Sequence, residues 1–136
     1  MDNWLFPALL ALIFYGFWGF FPKIAVSYIS PQSALIYEVG GALLVGVVTL
    51  CLVDFHPPHH PKGVLFAVLT GIAGMAGTLF FFAAAQKGKI SLVVSLTALY
   101  PLITILLAAI FLKEPLTLHQ IFGLLLALCA IVLLVA

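Results

Sequence analysis

Charged side chains are scarce in this chain of 136 residues, where Asp, Glu, Lys and Arg together make up 7% and arginine is absent. A soluble domain carries about 25% charged residues, so five basic and four acidic side chains cannot cover a water-soluble globule of this size. The net charge is only +1, whereas a nucleic-acid partner requires a basic patch. The lack of charge excludes an ordinary soluble enzyme, a disordered chain and a nucleic-acid-binding protein.

Cysteine and catalytic motifs are also lacking. Cys51 and Cys129 both lie in hydrophobic segments, and we interpret them as packing residues because disulfide frameworks belong to secreted domains. His56, His59 and His60 share a proline-rich loop, but nothing there fixes a ligand geometry, so no metal site is predicted. No phosphate-cradling glycine motif or nucleophilic serine elbow occurs, and we expect neither enzyme activity nor a cofactor.

Long hydrophobic runs are abundant: 65% of the residues are hydrophobic and the mean hydropathy is +1.34. Uncharged intervals of 20, 24, 23 and 22 residues follow Asp2, Lys62, Lys89 and Glu114, and a further interval is interrupted only by Glu38. About 20 apolar residues suffice for a spanning helix. The sequence therefore predicts an all-α integral membrane bundle, a single domain over residues 1–136. Its five helices are expected at residues 4–21, 31–53, 63–86, 91–112 and 118–136.

Proline and polar residues set the predicted boundaries. Pro22 and Lys23 are expected to end or kink the first helix, because proline removes a backbone donor. Ser30 is a plausible N-cap before Pro31 at the first position of the second helix. The segment 54–61 has three prolines and is expected to be the main polar loop.

The lysines hardly bias the orientation of five spans. Lys62 and Lys113 fall on the side of the N-terminus, and Lys23, Lys87 and Lys89 fall on the other side. Lysine and arginine in short loops orient a membrane protein, but the free N-terminal amine nearly cancels this difference. Either the chain inserts both ways round and forms an antiparallel homodimer, equivalent to an inverted repeat, or an outside factor orients it.

Polar residues on the first two helices are the first candidates for a cavity. Tyr15 and Trp18 share a face with small residues, and the alternative is that they pack or lie at the membrane interface. Glu38 lies about two turns, or roughly 9 Å, inside the second helix. A desolvated carboxylate at that depth suits proton coupling or cation binding. The alternative is that Glu38 snorkels to the headgroups or pairs with Lys23.

The fourth helix supplies the second candidate wall. Thr97, Tyr100 and Thr104 fall within about 60° of one another at 100° per residue. Pro101 frees a backbone carbonyl one turn earlier, which is tolerable only against protein or water.

Three motifs resemble those of one family over essentially the whole chain. They are Phe17-Trp18-Gly19 followed by Lys23, Tyr100-Pro101-Leu102, and the run 112–117 that leads to Gln120 and Gly123. The chain resembles a single EamA-type unit of the drug/metabolite transporter superfamily. The resemblance implies transport of small organic solutes across the cytoplasmic (inner) membrane by alternating access.

The resemblance also implies a partner. Typical family members carry two inverted five-helix units in one chain, so a second copy of this chain or a paralogue is expected to complete the transporter. The family often has an arginine in the second helix where this chain has Tyr37-Glu38, which favours a cationic or zwitterionic substrate, or proton coupling. Glu114 matches a family motif and is expected to accept backbone N–H groups at the start of the fifth helix.

The sequence thus predicts a multi-pass transporter in the lipid bilayer, with a cavity near the midplane. Two other functions remain open: a non-transporting assembly or regulatory subunit, which needs no polar cavity, and a lipid-flippase-type carrier, which needs a cavity open sideways to lipid. The residues assigned to the pathway are Tyr15, Trp18, Glu38, Thr97, Tyr100 and Thr104.

Overall fold

The computed structural model describes residues 4–135, and this part of the chain is helical, without strands. Four helical stretches are long and apolar enough to cross a membrane, and a fifth is shorter. The predicted all-α bundle is confirmed. Asp2 and Ala136, which bound two of the predicted segments, lie outside the described residues. The helices are α1 (Leu5–Tyr28), α2 (Pro31–Leu52), α3 (Pro61–Lys87), α4 (Ile90–Thr97), α5 (Tyr100–Leu107) and α6 (Leu118–Val135), with a π-helical turn at Ala108–Leu112.

The chain divides into two compact units, the first ending at Lys87 and the second beginning at Gly88. In the first unit, α1, α2 and α3 contact one another. Their shared core lies in the second half of α1, the first half of α2 and the last turns of α3. The buried apolar side chains there are Val26, Ala34, Phe81, Phe82 and Ala85.

The first helix is longer than predicted, because α1 passes through Pro22 and ends at Tyr28. The expectation that Pro22 and Lys23 end the helix is therefore wrong, and the alternative, a kink at these residues, stays a prediction. A proline removes only one backbone hydrogen bond, whereas an unwound segment in hydrocarbon exposes several unsatisfied groups. Pro22 is itself buried, so its ring contributes to packing.

The start of α2 confirms the predicted cap. The Ser30 hydroxyl accepts a hydrogen bond from the backbone N–H of Ser33 at 3.2 Å, and Pro31 occupies the first turn. The helix ends at Leu52, where Asp54 and Phe55 take left-handed φ angles of 51° and 60°. The remaining predicted loop up to residue 60 is not helical.

The second unit corrects the expectation of one regular helix over residues 91–112. The helix is interrupted at Ala98 and Leu99, and α5 starts anew with Pro101 in its first turn. The turn is closed by i-to-i+3 bonds, from the Leu99 N–H to the Leu96 carbonyl and from the Leu102 N–H to the Leu99 carbonyl. Because Pro101 has no N–H and its ring crowds the preceding turn, the regular hydrogen-bond ladder stops there.

The start of α6 is capped by Thr117, which directly precedes the helix, and by Gln120 in its first turn. The Gln120 N–H donates to the Thr117 hydroxyl at 3.3 Å, and the Thr117 N–H donates to Gln120 Oε1 at 2.8 Å. This reciprocal pair is a capping box. Within the part of the chain that is described, the Glu114 side chain makes no hydrogen bond to these amides, so the capping role expected for Glu114 belongs to Thr117 and Gln120.

Large apolar side chains cover the outside of the helices. Leu44 on α2 is 71% exposed and Phe66 on α3 is 66% exposed. Many other large apolar side chains of these helices are exposed to a similar extent. Such a surface is stable only against lipid or another apolar surface.

Candidate functional site

One hydrogen bond links the first two helices at the site that the sequence singles out. The indole Nε1–H of Trp18 on α1 donates to Glu38 Oε1 on α2 at 2.7 Å. Glu38 is half-buried and lies seven residues after Pro31, about 10 Å along the helix at 1.5 Å per residue. The structure thus brings together two of the residues assigned to the pathway.

The indole ring of Trp18 is also held from the third helix. Its centroid lies 5.2 Å from that of Phe81, with the ring planes inclined by 30°. Phe81 is buried, so it provides a fixed surface for the indole. Trp18 on α1 therefore contacts both other helices of the first unit through one side chain.

The two oxygens of the Glu38 carboxyl group differ in their surroundings. Oε1 accepts the indole hydrogen bond, whereas Oε2 is enclosed and has no hydrogen-bond partner within the described residues. An enclosed oxygen of this kind costs free energy if the group is ionised and unpaired. Oε2 is thus the unsatisfied acceptor of this site.

A cavity of approximately 280 Å³ lies beside this carboxyl group, within the first unit. Its wall is mostly apolar and aromatic, which is typical of sites for small organic molecules. The lining residues are Trp18, Phe21, Pro22, Ala25, Ile29, Ala34, Tyr37, Glu38 and Phe82.

Lys23 lies near this region, where it ties α1 to the end of α3. Its Nζ donates to the backbone carbonyl of Ala85 at 2.8 Å. Carbonyls in the last turn of a helix lack partners within the helix, and a cation there complements the helix dipole. The structure thus shows Lys23 bonded to the end of α3. A pairing of Lys23 with Glu38 stays a prediction.

Tyr15 lies one turn before Trp18 on α1. Its side chain is 65% exposed, and it is not among the residues that line the cavity. Its assignment to the pathway stays a prediction.

The remaining assigned residues lie in the second unit around the helix interruption. The Thr97 hydroxyl donates to the Val93 carbonyl at 2.9 Å, and the Thr104 hydroxyl donates to the Tyr100 carbonyl at 3.4 Å. Both threonines thus bond to their own helix backbone. Tyr100 is 63% exposed at the start of α5. Their part in a transport pathway stays a prediction.

A second cavity, of approximately 220 Å³, lies within the second unit beside the π-helical turn. Glu114 and Gln120 are its polar lining residues. The Gln120 amide oxygen is occupied by the cap of α6. This cavity therefore belongs to the helix–loop–helix connection.

Sequence reasoning missed several aromatic residues of the first cavity. Phe82 lies four residues after Thr78, on the face of α3 that otherwise consists of small residues, so helical spacing could have found it. Phe21 and Tyr37 adjoin residues that were singled out, but no sequence pattern shows on which side of its helix each lies.

The fold and this site define a multi-pass helical membrane protein with a carboxyl group held beside a cavity. Comparison with known proteins identifies its family. The EamA-like transporter family matches residues 2–136, and the chain belongs to that family. This is a family of membrane transporters.

A relative of nearly the same length is an uncharacterized protein of Methanocaldococcus jannaschii. It is 32% identical over 134 residues, which cover 98% of this chain and 97% of the relative. The similarity thus extends over nearly the full length of both sequences. No solved structure gives a significant match to this chain.

Proposed function

We propose that this protein moves small organic solutes across the cytoplasmic membrane by alternating access, with Glu38 and Trp18 at the centre of the pathway. One observation supports the proposal above all. In a family of transporters, the charged residue deepest in α2 is bound by an indole N–H beside an apolar cavity. Ionisable residues inside membrane helices are costly and generally serve transport or proton relay.

The functional form in this proposal is an antiparallel homodimer, with a paralogue as the other possible partner. The family match covers one five-helix unit, and the relative from M. jannaschii has about the same length. Two oppositely inserted copies supply the inverted pair of units on which alternating access depends. The near balance of the lysines allows both insertions.

Proton coupling is assigned to Glu38. Its Oε2 is enclosed without a partner, so a proton at that atom removes the cost of an unpaired buried charge. The Trp18 N–H donates to the other oxygen. A carboxyl oxygen accepts such a bond whether or not the group carries a proton, so in this proposal protonation changes the charge of the site without removing the bond.

The test is solute uptake into proteoliposomes under an imposed pH gradient, using a radiolabelled cation, zwitterion, neutral solute and anion in parallel. Wild-type uptake of one class is expected to respond to the gradient. Glu38→Gln keeps the shape and the acceptor for Trp18 but cannot ionise, so its uptake should lose the pH dependence. The matched control is Asp54→Asn in the loop after α2, which should behave as wild type.

Two results would contradict the proposal. pH-dependent uptake in Glu38→Gln that equals wild type removes Glu38 from the coupling step. Failure to move any of the solutes, in protein that is folded and inserted, favours a non-transporting subunit. Movement of a fluorescent phospholipid in the same vesicles instead favours a lipid carrier.

A further inference from the structure

We propose that the cavity beside Glu38 binds a small organic cation that has no N–H donor, such as a quaternary ammonium ion. The inference rests on the proposed transport function and assigns its substrate class. It follows from the charge, the hydrogen-bonding capacity and the aromatic content of the cavity wall.

The charge of the wall selects a cation. Among the described residues that line the cavity, Glu38 is the charged one, and its Oε2 has no partner. A positive charge in the cavity lies beside the ionised carboxylate and is attracted to it. A zwitterion brings in addition a negative group, for which the lining side chains offer no positive partner.

The hydrogen-bonding capacity of the wall selects against N–H donors. Glu38 Oε1 already accepts from Trp18, and Oε2, although unsatisfied, is covered by neighbouring atoms, so an N–H group in the cavity does not reach it. The hydroxyl of Tyr37 is the other oxygen among the lining side chains. A primary ammonium has three N–H donors, and each donor that leaves water without finding an acceptor weakens binding. A quaternary ammonium leaves none unsatisfied.

The aromatic residues supply the attraction that such a cation uses. Trp18, Phe21, Tyr37 and Phe82 all line the cavity. Aromatic rings attract cations through their faces, and rings grouped around a site are a recognised way of binding quaternary ammonium groups. The Trp18 ring is fixed by Phe81 and by its bond to Glu38, so it needs little reordering when the ligand binds.

The size of the cavity limits the ligand. Its approximately 280 Å³ is close to the lower end of the range of about 300–1,000 Å³ for small-molecule pockets. Tetramethylammonium and choline are therefore suitable probes.

The experiment measures equilibrium binding to the full chain in lipid nanodiscs by dialysis of radiolabelled tetramethylammonium. Ammonium, methylammonium, dimethylammonium and trimethylammonium compete in turn, so that the number of N–H donors is varied stepwise. We expect affinity to rise with each methyl group, by about tenfold or more between methylammonium and tetramethylammonium. Choline should also bind about tenfold or more tightly than 3,3-dimethylbutan-1-ol, which replaces its nitrogen by carbon.

Two variants test the assigned residues. Glu38→Gln is expected to lower tetramethylammonium affinity about tenfold or more, because it removes the charge and keeps the shape. Phe21→Leu keeps an apolar side chain without the ring and should lower affinity about three- to fivefold. Its control is Phe14→Leu, an exposed residue of α1 that does not line the cavity. Trp18 emission, recorded in a Trp4→Phe background, reports binding independently.

The outcomes separate this inference from the proposed transport. Absent saturable binding, a reversed methylation order, or an unchanged affinity in Glu38→Gln overturns the substrate class. If another solute class is transported through Glu38 while tetramethylammonium does not bind, transport stands and the substrate class is wrong. If tetramethylammonium binds in the expected order but no vesicle assay moves it or any solute, the cation site stands and the transport proposal is wrong.

Discussion

At the scale of single residues, Trp18 and Glu38 are twenty positions apart and meet in one hydrogen bond of 2.7 Å. The sequence predicts that each of them is important, since each is a costly polar group in an apolar helix. It does not predict their pairing, because α2 is apolar on nearly every side and no amphipathic stripe fixes which side faces α1.

The energy of this contact can be measured with a double-mutant cycle of Trp18→Phe and Glu38→Leu. Phenylalanine keeps an aromatic ring against Phe81 and removes the donor, and the cycle cancels the change in ring size, so we expect a coupling energy of about 1 kcal/mol. Thermal unfolding in detergent is the measurement, and Trp4→Phe, at an exposed site, serves as the control. Additive effects of the two substitutions would show that the contact contributes nothing to stability.

At the scale of elements, the cap of α6 shows how local patterns compete. The sequence contains Thr117 and Gln120 at the spacing of a capping box, and it also contains Glu114 three residues earlier in a family motif. The geometry selects the capping box, because its two residues reach each other's amides within one turn. The interruption between α4 and α5 is likewise only partly predictable. Pro101 predicts that the regular helix is disturbed there, but the sequence does not predict whether the helix bends or restarts.

Substitutions at this cap should show whether Thr117 or Glu114 stabilises the start of α6. Thr117→Ala removes the acceptor for the Gln120 amide and is expected to lower the free energy of unfolding by about 1 kcal/mol. Glu114→Ala is the matched comparison and should change stability by less than about 0.5 kcal/mol. Denaturation in mixed micelles, followed by circular dichroism, measures both. If Glu114→Ala lowers the free energy of unfolding more than Thr117→Ala does, Glu114 stabilises the start of α6 and the capping assignment is wrong.

At the scale of the whole molecule, the class of fold and the family follow from the sequence, whereas the assembly does not. Composition and uninterrupted apolar runs are sufficient for the first two, because hydrocarbon permits few structures other than helices to span it. The assembly depends on small differences in lysine distribution. It also depends on apolar helix surfaces that can contact either lipid or a second copy of the chain.

Orientation of the C-terminus, read with a cytoplasmic and a periplasmic reporter fusion, tests the antiparallel homodimer. We expect comparable signals from both reporters in the wild type. Replacing Lys62 and Lys113 by Gln should place the C-terminus inside, and replacing Lys87 and Lys89 by Gln should place it outside, because the remaining lysines then favour one side. A single wild-type orientation that neither pair of substitutions alters would rule out dual insertion by charge balance.

The core of the first unit also bears on how the protein is made. Val26, Ala34, Phe81 and Phe82 all precede residue 88, so this core is complete in sequence before the second unit has been translated. Lys23, Lys62 and Lys87 lie in the same early part of the chain. A nascent chain that packs these three helices as they leave the ribosome has placed three of its five lysines, and the two that follow, Lys89 and Lys113, can still shift its orientation.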